Sequence, residues 1–375
     1  MKRFLVVSDP PAAPGYLPRV RFLCEYLVRK GHDVTLLTEA YQPLPFPHTY
    51  PIETIKMYTG GTFDWFIKTV WTLLTDWHNR VFASKALNTI HPTPDTFDFV
   101  ICSAFSDFPL GAAQRIANKL QVPLLCDIRD LDEQVEDSRY QYHHQTWWTM
   151  PFRRLYRAVH IRRRNNVLRA ADNITTVSPW HAEFIKQFNP NVQVLYNGFD
   201  DKQFYPEDVR TDQFTISYIC SLFEWQQPAL TKVRQVIEEL NKSQLNPQQS
   251  KILLDIHTPQ SSPVPHDKLG DAIRKSSIML VLTSPDTHGM LTTKFYEALG
   301  CEKPVLCVPS DQGALAELMT YTNAGLATDD PTQMARFLLD KYQEWQQSGF
   351  TRQQVKHREQ FTRDAQYDKY YSSRI

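Results

Sequence analysis

Short apolar runs alternate with amphipathic segments along the first half of the chain. The apolar runs cover Phe4–Ser8, Val34–Leu37, Phe97–Cys102, Pro123–Cys126, Asn173–Val177 and Gln193–Tyr196. A helical pattern from Leu17 to Lys30, ended by Gly31, lies between the first two runs. Strands and helices that alternate at this spacing are typical of a parallel sheet with helices on both faces. We therefore predict a doubly wound α/β unit.

The same alternation starts again after Pro206. Predicted strands at Phe214–Ile219, Ile252–Ile256, Ile278–Thr283 and Pro304–Val308 alternate with predicted helices at Ala229–Leu240, Lys268–Lys275, Lys294–Leu299 and Thr332–Gln346. A polar, turn-rich segment from Asn197 to Pro206 separates the two series and suits a domain boundary. We predict two Rossmann-like domains, residues 1–205 and 206–350, and a helical pattern in the charged tail Thr351–Ile375.

Composition narrows the class of protein. The chain has 375 residues, 41 Lys and Arg against 41 Asp and Glu, and a hydrophobic share of 42%. This balance excludes a basic nucleic-acid coat and a disordered acidic tail, and it predicts a globular protein. Six scattered cysteines without a CxxC pair predict reduced thiols and no zinc site. The apolar run after Met1 is too short for a secretion signal, so we expect a cytoplasmic protein.

The first candidate for chemistry is the loop after the first predicted strand. It contains Gly15, and Arg19 follows one turn inside the next helix. A glycine there lets the backbone approach an anion, and Arg19 adds positive charge. An ordinary surface loop with a surface arginine explains the same residues.

The second candidate is the segment from Gly289 to Glu297. Thr292 and Thr293 are good helix N-cap residues, so free N–H groups at the helix start suit a phosphate. Lys294 supplies a positive charge, and Glu297 follows one turn later on the same face, where a carboxylate accepts ribose hydroxyls. The alternative is a capped helix with an exposed Lys and Glu.

The third candidate is Asp127–Asp130, which directly follows an apolar strand. Charged residues at the carboxyl edge of a parallel sheet are placed for substrate. The alternative is an ion pair of Arg129 with an aspartate that fixes the loop.

Two further segments bear on the acceptor. Between Phe63 and Val81 the apolar residues, Trp71 and Trp77 among them, fall on the stripe of one amphipathic helix, and Trp65 lies beside it. This stripe is either core or a face for a membrane or a lipid-like acceptor. From Arg139 to Arg169 there are eight arginines and no acidic residue. That segment is either a solvated helix face or a site for anionic lipid headgroups or a lipid-diphosphate acceptor. We expect no nucleic-acid partner, because no recognition fold accompanies the arginines.

Several motifs, in order, resemble one enzyme family. They are Gly15–Arg19, Lys30–Leu36, Pro123–Asp130, Ala170–Ser178, Val194–Asp200 with Phe204–Pro206, and Thr293–Leu306. Together they are similar to the retaining GT-B glycosyltransferases of family 4. The resemblance spans residue 2 to about residue 330, nearly the whole chain.

The resemblance implies two facing Rossmann-like domains with a nucleotide-sugar in the cleft. It implies that Glu297 holds the ribose hydroxyls and that Lys294 and the backbone near Thr292 hold the diphosphate. Gly15 matches the glycine of the first-domain loop that faces the diphosphate. The final helix, about residues 351–375, is expected to pack back on the first domain.

The chain also departs from the family pattern. The family often has a glutamate where this chain has Gly289, so we expect His288 or the backbone near Gly289 to contact the donor sugar. Cys220 replaces a common glycine, and Arg129 replaces a common histidine. A degenerate binding protein without activity, and a nucleotide-sugar epimerase on the same scaffold, therefore remain alternatives to a transferase.

The expected reaction needs no protein nucleophile. In retaining enzymes of this kind the departing diphosphate takes the proton of the acceptor on the same face of the sugar. The protein then positions the substrates and stabilises the leaving charge, for which we select Lys294, Arg129 and Asp130 as catalytic residues and Arg19 as a donor contact. No metal or other cofactor is expected, because no carboxylate motif in the sequence is judged to indicate a required metal. We predict a nucleotide-sugar donor, a glycan or lipid-linked acceptor in surface polysaccharide or glycolipid synthesis, and peripheral contact with the inner face of the cytoplasmic membrane.

Overall fold

The computed structural model divides the chain into two compact units. The first comprises Met1–Leu195 with Tyr370 and Tyr371, and the second comprises Tyr196–Lys369. This division falls earlier in the chain than the predicted boundary. The described residues are 1–9, 18–40, 48–57, 62–93, 96–104, 106–134, 150–243, 250–284 and 288–371.

The first unit is built on a seven-stranded parallel sheet. Its strands are β1 (Arg3–Ser8), β2 (Asp33–Glu39), β3 (Ile52–Ile55), β4 (Phe99–Ala104), β5 (Leu124–Ile128), β6 (Asn173–Thr176) and β7 (Val192–Val194), in the spatial order β3-β2-β1-β4-β5-β6-β7. The central strands are buried along almost their whole length, as parallel strands covered on both faces must be.

Six described helices accompany this sheet. They are α1 (Pro18–Arg29), α2 (Thr62–Thr75), α3 (Trp77–Ile90), α4 (Leu110–Leu120), α5 (Met150–Ala170) and α6 (Pro179–Ile185). A core that includes Phe82, Leu110 and Ile116 packs α3 and α4 against the strands.

The second unit has a five-stranded parallel sheet. Its strands are β8 (Phe214–Ile219), β9 (Ile252–His257), β10 (Ile278–Leu282), β11 (Val305–Val308) and β12 (Gly325–Ala327), in the order β12-β11-β10-β8-β9. The helices are α7 (Gln227–Ser243), α8 (Leu269–Lys275), α9 (Thr293–Gly300), α10 (Ala314–Thr322), α11 (Pro331–Ser348) and α12 (Arg363–Tyr371).

Two apolar clusters form the core of the second unit. One packs α8, α9 and α10, and the other packs α7 and α11. The two clusters take different residues of the same strands, because successive side chains of a strand point to opposite faces. The predicted fold class, α/β with two doubly wound parallel sheets, is confirmed.

Two predicted elements differ from the structure. The stripe from Phe63 to Val81 does not lie on one helix, since Asp76 adopts φ 58° and divides it into α2 and α3. The tail from Thr351 is not helical throughout, because regular helix begins only at Arg363 after a short 3-10 turn at Arg358–Phe361. The short edge strands β3 and β12 were not predicted, because three or four residues leave too little pattern to recognise.

Candidate functional site

The N-terminus of α9 lies just beyond the carboxyl end of β10 in the second unit. Thr292 is the N-cap, and its hydroxyl accepts a hydrogen bond from the backbone N–H of Lys294 at 3.3 Å. Thr292, Thr293 and Lys294 are all half-buried. The first turn of the helix contains no acidic residue. The positive end of the helix dipole and the open backbone N–H groups therefore suit an anion.

Lys294 and Glu297 form an ion pair on this helix. Lys294 Nζ lies 2.7 Å from Glu297 Oε2. The lysine side chain keeps 20% of its surface exposed, whereas that of the glutamate keeps 6%. The structure thus brings these two predicted residues together. The ammonium of Lys294 reaches solvent, and the carboxylate of Glu297 is held at the edge of the core.

Cys220, which follows β8, lies within the electrostatic influence of this pair. Burial raises the pKa of its thiol, and the positive charge of Lys294 opposes that rise. The thiol therefore stays protonated at neutral pH, and Cys220 adds no charge to the site.

His288 and Gly289 lie in the loop that leads into α9. His288 is exposed and Gly289 is buried. The ring Nδ1 of His288 lies 2.9 Å from the carbonyl oxygen of Asp311, and the carbonyl of His288 accepts a hydrogen bond from Ala314 N at 2.7 Å. A Cβ atom at Gly313 would lie 1.8 Å from the His288 carbonyl oxygen. Only glycine allows this close approach, which fixes the backbone of the loop.

Asp311, whose carbonyl oxygen contacts the His288 ring, also fixes the start of α10. It is fully buried, and its carboxylate accepts hydrogen bonds from Leu315 N at 3.0 Å and Ala316 N at 2.9 Å. Neither Asp311 nor Gly313 was predicted from the sequence. The available signal was an acidic residue followed by glycine just before a helix, directly after the strand β11.

The predicted residues of the first unit form a different arrangement. Arg19 Nε and Nη2 donate to the two carboxylate oxygens of Asp127 at 2.8 and 2.7 Å, and Nη2 also reaches the carbonyl of Leu195 at 3.0 Å. The carboxylate accepts two more hydrogen bonds, from Ser103 Oγ at 2.8 Å and Thr175 Oγ1 at 2.7 Å. Arg19 is 8% exposed. Its guanidinium is therefore held inside the first unit.

The environment of Asp127 favours its charged form. Burial alone raises the pKa of this carboxyl, but the charge of Arg19 and the hydrogen bonds it accepts outweigh burial and lower the pKa below its ordinary value. The pair is a structural ion pair that joins α1 to the carboxyl end of β5. A role for Arg19 in donor binding stays a prediction.

Arg129 lies beside this pair at the same edge of the sheet. Its Nη2 lies 2.6 Å from Asp9 Oδ1, and both side chains are largely buried, at 15% and 9% exposed. Asp130 is exposed. The predicted Gly15 lies outside the described residues. Asp9, the partner of Arg129, was not predicted as a site residue, although it directly follows the first strand.

The predicted residues thus fall into two sets. Arg19, Arg129 and Asp130 belong to the first unit, whereas the residues from His288 to Glu297 belong to the second. Within the ranges that the structure describes, there is no group of three or more His, Cys, Asp or Glu side chains suited to a metal ion. None of the described helices is long and apolar enough to span a bilayer.

Comparison with known proteins gives one family-model match and several solved structures with a similar fold. The model of Glycosyltransferase Family 4 matches residues 19–203. Anabaena Alr3699/HepE, solved in complex with UDP and glucose, has a TM-score of 0.56 and 13% identity, covering 100% of this chain and 95% of that one. A glycosyltransferase from Rickettsia africae ESF-5 has a TM-score of 0.56 and 10% identity, covering 99% of this chain and 97% of that one. No curated protein matches the chain.

At these identities the solved structures establish the fold, and the family model adds the sequence signature. The resemblance predicted from the motifs is confirmed: residues 19–203 match the glycosyltransferase family 4 model, and the chain has the GT-B fold of the solved glycosyltransferases.

Proposed function

We propose that the protein transfers a hexose from a nucleoside-diphosphate sugar, and that the N-terminus of α9 holds the nucleoside diphosphate. The observation that carries this proposal is the Lys294–Glu297 pair at an anion-accepting helix start. The Anabaena neighbour, solved in complex with UDP and glucose, supports the same class of donor.

Each residue of the pair has a distinct part in this proposal. The carboxylate of Glu297 accepts the ribose hydroxyls, since it is fixed at the edge of the core and its charge strengthens each hydrogen bond. The half-buried ammonium of Lys294 binds the diphosphate and stabilises the charge that develops as the diphosphate departs. The backbone N–H groups beyond Thr292 add to this stabilisation.

The loop before α9 contacts the sugar. His288 is exposed, and the hydrogen bonds described above fix its ring and carbonyl. Gly289, where the family often has glutamate, leaves space and a backbone amide rather than a carboxylate. The donor sugar is therefore bound by His288 and by backbone groups.

The first unit supplies the acceptor side. The Arg129–Asp9 pair lies where the strands β1 and β5 end, the edge at which α/β sheets bind ligands. We infer transfer with retention, because the diphosphate itself can take the acceptor proton and no protein nucleophile is needed. The acceptor is a glycan or a lipid-linked sugar, and the enzyme works in the cytoplasm at a membrane face. No metal is required.

The test is nucleotide release from a panel of UDP-glucose, GDP-mannose, ADP-glucose and dTDP-glucose in the presence of a chelator. We expect slow release from at least one donor without an acceptor. Glu297→Ala and Lys294→Ala should each lower kcat/KM about ten- to a hundredfold, because a hydrogen bond to a charged group contributes about 1.5–3 kcal/mol.

Glu239→Ala is the matched control, since Glu239 is an exposed glutamate on α7 of the same unit. It should keep full activity. Binding of a donor without release from any of them would contradict transfer and favour a non-catalytic binding protein. Release of an isomerised nucleotide-sugar would favour an epimerase.

A further inference from the structure

The helix α2 leaves an apolar face in solvent. Ile67, Trp71 and Leu74 are 39%, 53% and 70% exposed. Their spacing of four and three residues places all three side chains on one face of the helix. The outward side of α2 is thus apolar, the opposite of an ordinary surface helix.

The helix α5 repeats this pattern in its first turns. Phe152 and Leu155 are 42% and 55% exposed. Arg162 is exposed and follows Leu155 by seven residues, two turns along the same face. Residues 150–171 contain seven arginines and no acidic residue. Of these arginines, Arg154 and Arg162 are exposed, whereas Arg164 is buried and pairs with Glu133, so the apolar residues have exposed cations nearby.

Arg163 joins these two helices. It donates from Nη1 to the carbonyl of Thr72 at 2.6 Å and from Nη2 to the carbonyl of Leu73 at 2.8 Å. These contacts cap the C-terminal carbonyls of α2 and hold them against α5. We define the α2–α5 surface as the exposed residues Ile67, Trp71, Leu74, Phe152 and Leu155.

A cavity of about 450 Å³ opens beside this surface, between α2 and α3. Trp71 and Trp77 form its apolar walls, and Arg80, Ser84 and Lys85 add polar groups. Arg80 is exposed, and among the described residues no side-chain hydrogen bond or ion pair engages its guanidinium. Lys85 donates to the carbonyl of Lys56 at 2.8 Å. An arginine and a serine in a cavity that two tryptophans also line match a phosphate ester with an apolar neighbour.

We propose that the α2–α5 surface docks on an anionic bilayer and that the cavity between α2 and α3 binds the phosphate of a lipid headgroup. Tryptophan and leucine side chains enter the boundary between headgroups and acyl chains, while Arg80 and Arg162 contact lipid phosphates. The basic charge selects an anionic membrane over a neutral one. The proposal extends the proposed function, because it brings the enzyme to where a lipid-linked acceptor resides.

The test is flotation of the full-length protein with vesicles of phosphatidylcholine alone or with phosphatidylglycerol added. We expect binding to the anionic vesicles only, weakened at 0.5 M salt, where charges are screened within a few ångströms. The assay uses no donor and no transfer, so its failure is distinct from failure of the proposed function. Equal binding to both vesicle types, or to neither, would overturn the proposal.

Variants locate the contact. Trp71→Ala with Leu74→Ala should reduce the partition coefficient about tenfold, because binding scales with the apolar area inserted. Arg80→Gln should reduce it about fivefold, the effect of one basic residue near an anionic surface.

The matched controls lie in the second unit. They are Leu253→Ala, an exposed apolar residue, and Arg234→Gln, an exposed helix arginine. Both should bind like the unmodified protein. Full binding by the Trp71 and Leu74 double variant, or an equal loss in the controls, would place the contact elsewhere. Because Trp71 and Leu74 are exposed, the double variant should have an unchanged circular dichroism spectrum and should still release nucleotide.

Discussion

At the strand ends of the first unit, charged side chains neutralise one another inside the protein, whereas in the second unit a comparable pair reaches solvent. Arg19 and Asp127 have side-chain exposures of 8% and 4%, and the carboxylate has further hydrogen bonds from Ser103 and Thr175. Lys294 is 20% exposed, and Glu297 has no comparable ring of donors among the described residues. A cation–carboxylate pair thus lies inside the first unit, whereas in the second unit the cation of such a pair reaches solvent.

The difference agrees with a structural part for the first pair and with the ligand-binding part proposed for the second. A buried ion pair is stable only when every oxygen and N–H group has a partner, since desolvating a charge is costly. A pair that binds a ligand must instead keep part of its hydrogen-bonding capacity for that ligand. Arg19→Met and Lys294→Met test this contrast directly, and two further variants test how a side chain in each unit is held, from the largest expected effect to the smallest.

Arg19→Met should have the largest effect. Removing one partner from a buried pair leaves an uncompensated charge on Asp127, which costs about 3–5 kcal/mol. Urea unfolding measures the loss of free energy. The double variant Arg19→Met with Asp127→Leu should recover most of it, because no charge then remains buried. A loss below about 1 kcal/mol would show that the pair is not a structural one.

His181→Gln should remove a pH dependence of stability. Burial, with the charge of Arg164 adding to it, lowers the pKa of His181 from 6.5 to about 4. Between these values the unfolded chain binds a proton that the folded protein does not. The contribution of His181 to the free energy of unfolding is therefore fully present above pH 6.5. It falls as the pH decreases toward 4, by about 3 kcal/mol in all. The variant should lose this slope in urea unfolding against pH.

The control for this prediction is His257→Gln, in the second unit, where the histidine pairs with Asp255 near the surface. It should keep the slope of the unmodified protein. If the His181 variant also keeps it, burial does not hold this ring in its neutral form.

Gly313→Ala should affect both stability and the donor loop. The new Cβ would lie within 1.8 Å of the His288 carbonyl oxygen, so the backbone of the loop must move. We expect a loss of about 1–3 kcal/mol, typical of overpacking. We also expect weaker UDP binding by calorimetry. Gly111→Ala, in the first unit, is the control: the nearest atoms to its Cβ belong to the Asn79 side chain, so it should leave UDP affinity unchanged.

Lys294→Met should have the smallest effect on folding. Because this pair lies at the solvent edge, we expect water to hydrate the Glu297 carboxylate once the lysine is replaced, and the loss in urea unfolding to be about 1–2 kcal/mol, smaller than that of Arg19→Met. Nucleotide affinity should nevertheless fall sharply. A loss as large as that of Arg19→Met would contradict the contrast between the two units.

The sequence was informative where local pattern decides the structure. Alternating apolar runs placed most strands, and the Thr292 cap with Glu297 one turn later placed α9 and put Lys294 and Glu297 on one face, although not as an ion pair. The break at Asp76 was not predictable, because a left-handed backbone at a non-glycine residue has no reliable local signal.

Contacts between residues far apart in the chain could not be predicted from the sequence either. Arg19 and Asp127 are far apart in the chain, and nothing near either residue selects its partner. The sequence allows an ion pair between Arg129 and an aspartate, but it does not indicate that the aspartate is Asp9. The exposure of Trp71 and Leu74 was equally hidden, since a stripe of apolar residues predicts core and interface alike.

The most direct measurement for the central claim is thermal unfolding with and without UDP, GDP, ADP and dTDP. A nucleotide at a hundredfold excess over its dissociation constant stabilises a protein by about 2.7 kcal/mol, which raises the midpoint by several degrees. The account predicts such a shift with at least one nucleotide, absent in Glu297→Ala and retained in Glu239→Ala. No shift with any nucleotide, or an undiminished shift in Glu297→Ala, would contradict a donor site at the start of α9.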